Sequence, residues 1–185
     1  MMRELWIFAY GSLIWRPGFS PAESVPARIT GWHRRLCIYS HVYRGTPVRP
    51  GLVFGLAAGG SCDGLAMRVA PGEEGAVRSY LFRREQVTNV YRATMHPIEL
   101  GGKPGRTVQA LVFLADPRHR QYAGNLPTDR QVAIVRRARG RAGSNLDYVL
   151  NTAEKLAEAG FEDPHLHRVL VRLGRHQRAE ALPRA

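Results

Sequence analysis

The chain has 185 residues, enough for one domain with a substantial core, and its 44% hydrophobic, 23% charged composition is that of a globular protein rather than a disordered one. No stretch approaches the roughly 18 apolar residues of a membrane span, and Met1-Met2-Arg3-Glu4-Leu5 lacks the apolar region and small-residue cleavage site of a signal peptide. The formal net charge of +12 raises a nucleic-acid partner, but the arginines are scattered in short pairs such as Arg34-Arg35, Arg83-Arg84 and Arg136-Arg137, without an aromatic-basic RNA signature, zinc finger or basic tail. A solvated basic surface, or attraction for an anionic small molecule, remains. Cys37 and Cys62, without CxxC spacing, read as reduced and buried thiols, and the protein is expected in the cytoplasm.

Leu5–Tyr10 is a near-continuous apolar run, as expected of a strand covered on both faces. It stops at Tyr10-Gly11-Ser12, resumes as Leu13-Ile14-Trp15, and meets a Trp-Arg-Pro turn. Arg28–Tyr39 suggests a strand or a bent pair of strands. Gly51–Leu56 and Gly64–Val69 flank the turn-rich Gly59-Gly60-Ser61-Cys62-Asp63-Gly64, which predicts a hairpin connection. In Pro71–Arg84, Val77, Tyr80 and Leu81 share one helical face, and Glu73 and Glu74 favour the helix dipole in the first turn. Gln86–Met95 turns β-like, which puts Glu85 at a helix-to-strand junction, and Val108–Leu114 is a further apolar run.

The last third reads as helical. Thr128-Asp129-Arg130-Gln131 has capping-box spacing. Leu146, Val149, Leu150, Ala153, Leu156 and Ala157 make an apolar stripe that Gly160 is placed to end, and Asp163-Pro164 opens a last helix. Strands followed by helices predict an α+β fold with a curved or barrel-like sheet.

Several chemistries lack their residues. Ser12 stands in Tyr-Gly-Ser-Leu without the second glycine of a nucleophile elbow, and neither Walker A nor a dinucleotide GxGxxG follows a strand. The seven histidines lack HExxH spacing; His165 and His167, two apart on a helix, read as surface residues and poor joint ligands. No metal or cofactor is expected. Two readings of the interrupted strand stay open. It is a bulge or barrel corner, or it is a cradle in which Gly11 lets a ligand approach the backbone and freed N–H groups hold a carboxylate or an oxyanion.

Trp6-Ile7-Phe8-Ala9-Tyr10-Gly11-Ser12-Leu13-Ile14-Trp15 resembles the N-terminal signature of the ChaC-like, glutathione-specific γ-glutamylcyclotransferases. The likeness continues through Gly31-Trp32-His33-Arg34, Arg44-Gly45, Pro50-Gly51, Gly64-Leu65-Ala66-Met67-Arg68-Val69 and Tyr80-Leu81-Phe82-Arg83-Arg84-Glu85. It then runs through Gly105-Arg106-Thr107-Val108, Asp116-Pro117-Arg118-His119, and Gly143-Ser144-Asn145 with Tyr148, so it covers nearly the whole chain. Met67 stands where tyrosine is expected and Ala9 where glycine is frequent.

The resemblance implies a γ-glutamylcyclotransferase-like α+β domain over residues 1–185, a small mixed β-barrel with flanking helices and a helical C-terminal third. It implies cleavage of glutathione, a small-molecule substrate, into 5-oxoproline and cysteinylglycine, without metal or cofactor and with neither nucleic acid nor membrane as partner. By the same resemblance Glu85 is the acid/base, and Ile7, Phe8, Ala9, Tyr10, Gly11, Ser12 and Leu13 form the segment that binds the γ-glutamyl part, with Arg44 and Tyr148 as weaker candidates for substrate contact. Sequence physics alone does not select Glu85 among ten glutamates; beside Arg83-Arg84 it reads first as half of a surface ion pair, and only the resemblance reverses that. The rival functions are the same chemistry on other γ-glutamyl amides, a non-catalytic binding protein on this scaffold, and a basic nucleic-acid binder.

Overall fold

A computed structural model describes residues 4–85, 87–101 and 105–180, with side chains described as far as Gly174. The chain forms two compact units. The first comprises the described residues up to Arg34 together with Gly55–Tyr122; the second comprises Arg35–Phe54 and the described residues from Ala123 onward.

The strands of the first unit close into a barrel in the order β1-β3-β2-β4-β5, sealed by pairing of β3 with β5. The strands are β1 (Trp6–Ala9), β2 (Glu23–Ser40), β3 (Gly51–Arg68), β4 (Tyr91–Leu100) and β5 (Thr107–Ala115). β1 runs antiparallel to β3, with Ile7 opposite Met67, and parallel to β5, with Trp6 opposite Ala110. β4 and β5 form a long antiparallel pair from Tyr91 opposite Ala115 to Glu99 opposite Thr107.

The apolar run of β1 has the cause expected of it. Trp6 and Phe8 enter one core cluster with Ile29, Leu56, Ala66, Ile98 and Val112; Ile7 and Ala9 enter another with Met67, Leu111 and Phe113. Both faces of the strand are dry. Helix α1 (Glu74–Glu85) joins the second cluster through Val77 and Leu81, whose full burial is worth roughly 1.5–3 kcal/mol each. That anchor fixes the end of α1, and with it Glu85.

Two expectations in this unit need correction. Gly59–Gly64 does not connect two strands as a turn: the stretch lies within β3, and positive φ at Gly59 and Gly60 lets the strand bend while it stays extended. β4 begins at Tyr91, because 87–89 bend away and Asn89 takes a positive φ; Gln86 lies outside the described residues.

The second unit carries α2 (Thr128–Arg137), the short pair β6 (Arg139–Gly140) and β7 (Gly143–Ser144), α3 (Asn145–Glu158) and α4 (Pro164–Glu180). α2 packs on α3 and α4, and Arg172 makes a two-pronged pair with Asp129 at 2.5 and 3.0 Å. The capping box at Thr128 does not form. Pro127 occupies the cap, and Gln131 is buried, donating from Nε2 to the Leu126 carbonyl at 2.7 Å. α3 is capped as its residues allow: Ser144 Oγ accepts from the Asp147 N–H, and Gly160 ends the helix at φ +76°. The stripe of α3 is narrower than its pattern, since Leu150 is 43% exposed. His165 is buried rather than at the surface, whereas Asp163 Oδ1 caps α4 by accepting from the Leu166 N–H. Cys37 and Cys62 are buried and not joined in a disulfide.

Within the second unit, helix side chains take the place of a neighbouring strand. Asn145 Nδ2 donates to the Leu52 carbonyl and its Oδ1 accepts from the Leu52 N–H, both at 2.7 Å, and Tyr148 Oη accepts from the Phe54 N–H at 3.1 Å. Asn145 is fully buried, so truncating it strands two backbone groups that water does not reach. Asn145→Ala is expected to destabilise the protein by about 2–4 kcal/mol, near one desolvation penalty for each orphaned group. Denaturant unfolding checks this, with the midpoint falling while the slope is unchanged.

Candidate active site

Beyond Ala9 the chain leaves the barrel ladder. Ser12–Ile14 make a single 3₁₀ turn, closed by the Ile14 N–H on the Gly11 carbonyl and followed by the Arg16 N–H on the Ser12 carbonyl, both at 2.9 Å. The first amides of such a turn have no acceptor inside it. Tyr10 is tied on both sides: its hydroxyl donates to the Phe113 carbonyl at 2.8 Å, and its own carbonyl accepts from Arg34 Nε at 2.5 Å. Arg34 is only 3% exposed, and its second arm reaches the Asp63 carbonyl at 2.7 Å. A Cβ built on Gly11 would meet no protein atom within 4 Å, so glycine here leaves the backbone approachable.

Glu85 closes α1. Its side chain is 20% exposed, and Oε1 sits 3.2 Å from Arg84 Nε. Burial, the larger influence, pushes the carboxyl above the ordinary carboxylate range, and the charge and hydrogen bond of Arg84 pull it part of the way back. Its place at a helix C-terminus, where the dipole is negative, acts in the same direction as burial.

The two halves are joined by one guanidinium. Arg84 donates to Ser12 Oγ at 3.0 Å, to the Arg16 carbonyl at 2.5 Å and to Tyr80 Oη at 3.0 Å, while its Nε faces Glu85. With a lone pair of Ser12 Oγ engaged by Arg84, the hydroxyl proton points away and can be donated elsewhere. A carboxyl held above the ordinary carboxylate range thus lies beside a loop with donors free to meet an anion. Such equipment moves protons and stabilises an oxyanion.

The structure sorts the expected residues. Glu85, Ser12 and the Tyr10–Gly11 backbone form one connected cluster. Ile7, Phe8 and Ala9 have no exposed side chain, and their strand pairs with β3; Leu13 is also buried. In the second unit Arg44 and Tyr148 touch each other, the guanidinium lying 5.3 Å from the ring centre. Arg44 Nη1 donates to the Ala142 and Ser144 carbonyls at 2.6 and 3.3 Å, and the Tyr148 ring packs on Phe54 at 5.9 Å. Both side chains brace their own unit. Sequence reading missed Arg34 and Arg84 as site residues. For Arg84 a signal existed: Tyr80 and Arg84 stand four apart on one helical face.

Residues 5–176 match the ChaC-like protein family. The chain is 34% identical over 167 residues to the glutathione-specific gamma-glutamylcyclotransferase of Escherichia coli, covering 90% of this chain and 71% of that protein. It is 31% identical over 179 residues to glutathione-specific gamma-glutamylcyclotransferase 1 of Homo sapiens, covering 93% and 79%. A solved γ-glutamyl cyclotransferase specific to glutathione from yeast superposes with a TM-score of 0.83 at 22% identity, covering 94% of this chain and 96% of that one. With the family pattern running from the start of the barrel into α4, the chain belongs to the ChaC-like protein family.

Proposed function

We propose that this protein is a glutathione-specific γ-glutamylcyclotransferase, with Glu85 as the general base and acid and the Tyr10–Ser12 backbone as the cradle for the γ-glutamyl group. The observation that carries the assignment of roles is the half-buried Glu85 carboxyl, raised by burial and joined through Arg84 to Ser12. The names of the E. coli and human relatives support the choice of substrate.

The reaction needs no enzyme nucleophile. The α-amine of the γ-glutamyl residue attacks the γ-carbonyl carbon of the same molecule, and the new C–N bond closes a five-membered ring. The carbonyl oxygen becomes an oxyanion, and the old C–N bond to cysteine breaks as the carbonyl re-forms. Two protons pass overall from the α-nitrogen to the leaving amine, and Glu85 relays them. Well-oriented intramolecular attack reaches effective molarities of about 10⁵–10⁸ M, so the enzyme's work is to fold the substrate and move those protons. The Ser12 hydroxyl and the neighbouring amides hold the substrate carboxylate or the oxyanion. The net charge of +12 favours arrival of an anionic tripeptide. Cys37 and Cys62, buried and not joined in a disulfide, fit action in the reducing cytoplasm.

Purified protein given glutathione is expected to release 5-oxoproline and cysteinylglycine, followed by mass spectrometry, and to turn over γ-glutamyl-alanine more slowly. Equal or faster turnover of γ-glutamyl-alanine would move the assignment to a cyclotransferase of broader substrate range.

Glu85→Gln keeps the shape but cannot accept the ammonium proton, so turnover at saturating glutathione should fall by about 10²–10⁴-fold with little change in calorimetric affinity. The stability effect has a definite sign. A carboxyl whose folded pKa is raised stabilises the fold while protonated, and that contribution is lost as pH rises through the folded pKa. Glu85→Gln should therefore melt higher than wild type at neutral pH, with the gap shrinking below the ordinary carboxylate range. A folded variant with wild-type turnover would remove Glu85 from the mechanism, and one that melts lower at pH 7 would make it a structural ion-pair partner.

A further inference from the structure

We infer that Arg84 is the positioning residue of this site: seated on the turn after Trp15, its guanidinium holds the Glu85 carboxylate and the Ser12 hydroxyl in one fixed geometry. This rests on the reading of Glu85 as the proton carrier.

An arginine beside a glutamate at a helix end is ordinarily a solvated pair worth about 0–1 kcal/mol. Arg84 differs in what it touches. Its donors meet four acceptors from two segments: Glu85 Oε1 and Tyr80 Oη on its own helix, and Ser12 Oγ and the Arg16 carbonyl beyond β1. A planar fork that satisfies acceptors in several directions has one orientation left, which is the property that separates arginine from lysine.

The seat for this fork is built into the stretch after the 3₁₀ turn. Gly18 has φ +77°, and a Cβ placed on it would lie 2.0 Å from Tyr80 Oη and 2.3 Å from Cζ. The Tyr80 hydroxyl therefore lies directly against the Gly18 α-carbon, and from there it accepts from Arg84. Two residues earlier the Arg16 carbonyl accepts from the same Nη1. The Trp15–Gly18 stretch thus grips Arg84 through the Arg16 carbonyl and through the hydroxyl that Gly18 admits.

Arg84 is also the charged group acting on the Glu85 carboxylate among the described residues; the other contacts of its guanidinium, Tyr80, Ser12 and the Arg16 carbonyl, are uncharged. Without Arg84, burial and the helix terminus act on Glu85 unopposed, and the carboxyl holds its proton to higher pH.

Three variants test this, with melting curves for folding and the Glu85 carboxyl carbon followed by NMR titration, its signal identified by its loss in Glu85→Gln. In Arg84→Met the carboxyl titration and the acid limb of kcat should both move to higher pH. Plateau kcat should fall by up to about 100-fold, the scale of an ångström-level misplacement, with a smaller change in KM. Arg84→Lys keeps the charge and loses the fork: its titration should return toward wild type while plateau kcat stays low. Recovery of kcat in Arg84→Lys would overturn positioning in favour of a charge effect alone, and an unchanged titration and kcat in Arg84→Met would overturn both. Should Arg84→Met fail to fold, Tyr80→Phe removes one acceptor and leaves the arginine; a lowered kcat supports the seat and a wild-type kcat overturns it. If Glu85→Gln proves fully active, the functional reading of Glu85 has failed. The carboxyl titration still decides the present point, a shift in Arg84→Met upholding the coupling and its absence ending it.

Discussion

A carboxylate that has to take a proton and then give it back cannot be left in open water, where it is too weak a base, nor buried alone, where it would not ionise. Under the role proposed for it, Glu85 would meet this constraint from the last turn of α1, mostly out of solvent and at the negative end of the helix dipole, with Arg84 beside it. The rest of the first unit serves to keep that balance in place. Val77 and Leu81 fasten the helix to the outer face of β1 and β5, so the carboxyl is delivered by a rigid element rather than a loop. Burial opposes the charge on this carboxyl, an unfavourable term for the folded state wherever the group is ionised.

The stretch from Phe8 to Phe19 contains two devices that share one turn of backbone. The first is the strand end itself, where Tyr10 is pinned by its hydroxyl to Phe113 and by its carbonyl to Arg34, leaving Gly11 and Ser12 free of the ladder. Arg34 is unusual as a buried guanidinium directed at backbone carbonyls, since desolvating such a group is costly unless its donors are met. Its fork reaches the carbonyls of Tyr10 and Asp63, fixing where β1 stops relative to the bent portion of β3. The second device is the Arg-Pro-Gly turn.

Much of this was legible from residue types. The uniform apolar run at Leu5–Tyr10 has one physical meaning, a strand dry on both faces, and β1 has that character. Glu85 at the end of a helix was readable because the helical face of Val77 and Leu81 runs out there, although the strand expected directly after it begins only at Tyr91. The family likeness brought the barrel, which local pattern could only suggest as a curved sheet. The misses arise where residue type and spacing did not decide the partner. Gly59–Gly64 has turn composition, yet the barrel needs a bend there and keeps the strand going. Gln131 has the spacing to reach back to a cap but is drawn into the interior by the Leu126 carbonyl 2.7 Å away. Nothing in Arg34-Arg35 tells a buried arginine from a solvated one, because its acceptors are backbone atoms that carry no sequence signal.

The two glycines that flank Ser12 are different in kind, and the difference shows how the site is assembled. A side chain at Gly11 would strike nothing in the protein, so glycine there serves access to the backbone. A side chain at Gly18 would strike Tyr80, so glycine there serves the interior, letting a helix-borne hydroxyl lie against a turn. Of the two meanings that the sequence left open, the structure shows the corner, where the chain leaves the barrel ladder for a 3₁₀ turn. The cradle is the reading proposed here, and its support is that the same corner is held by Arg34 at the Tyr10 carbonyl and by Arg84 at the Ser12 hydroxyl. A bulge without those two arginines would be free to breathe, and a loop that breathes by an ångström cannot hold an amine, a carbonyl and a proton carrier in line.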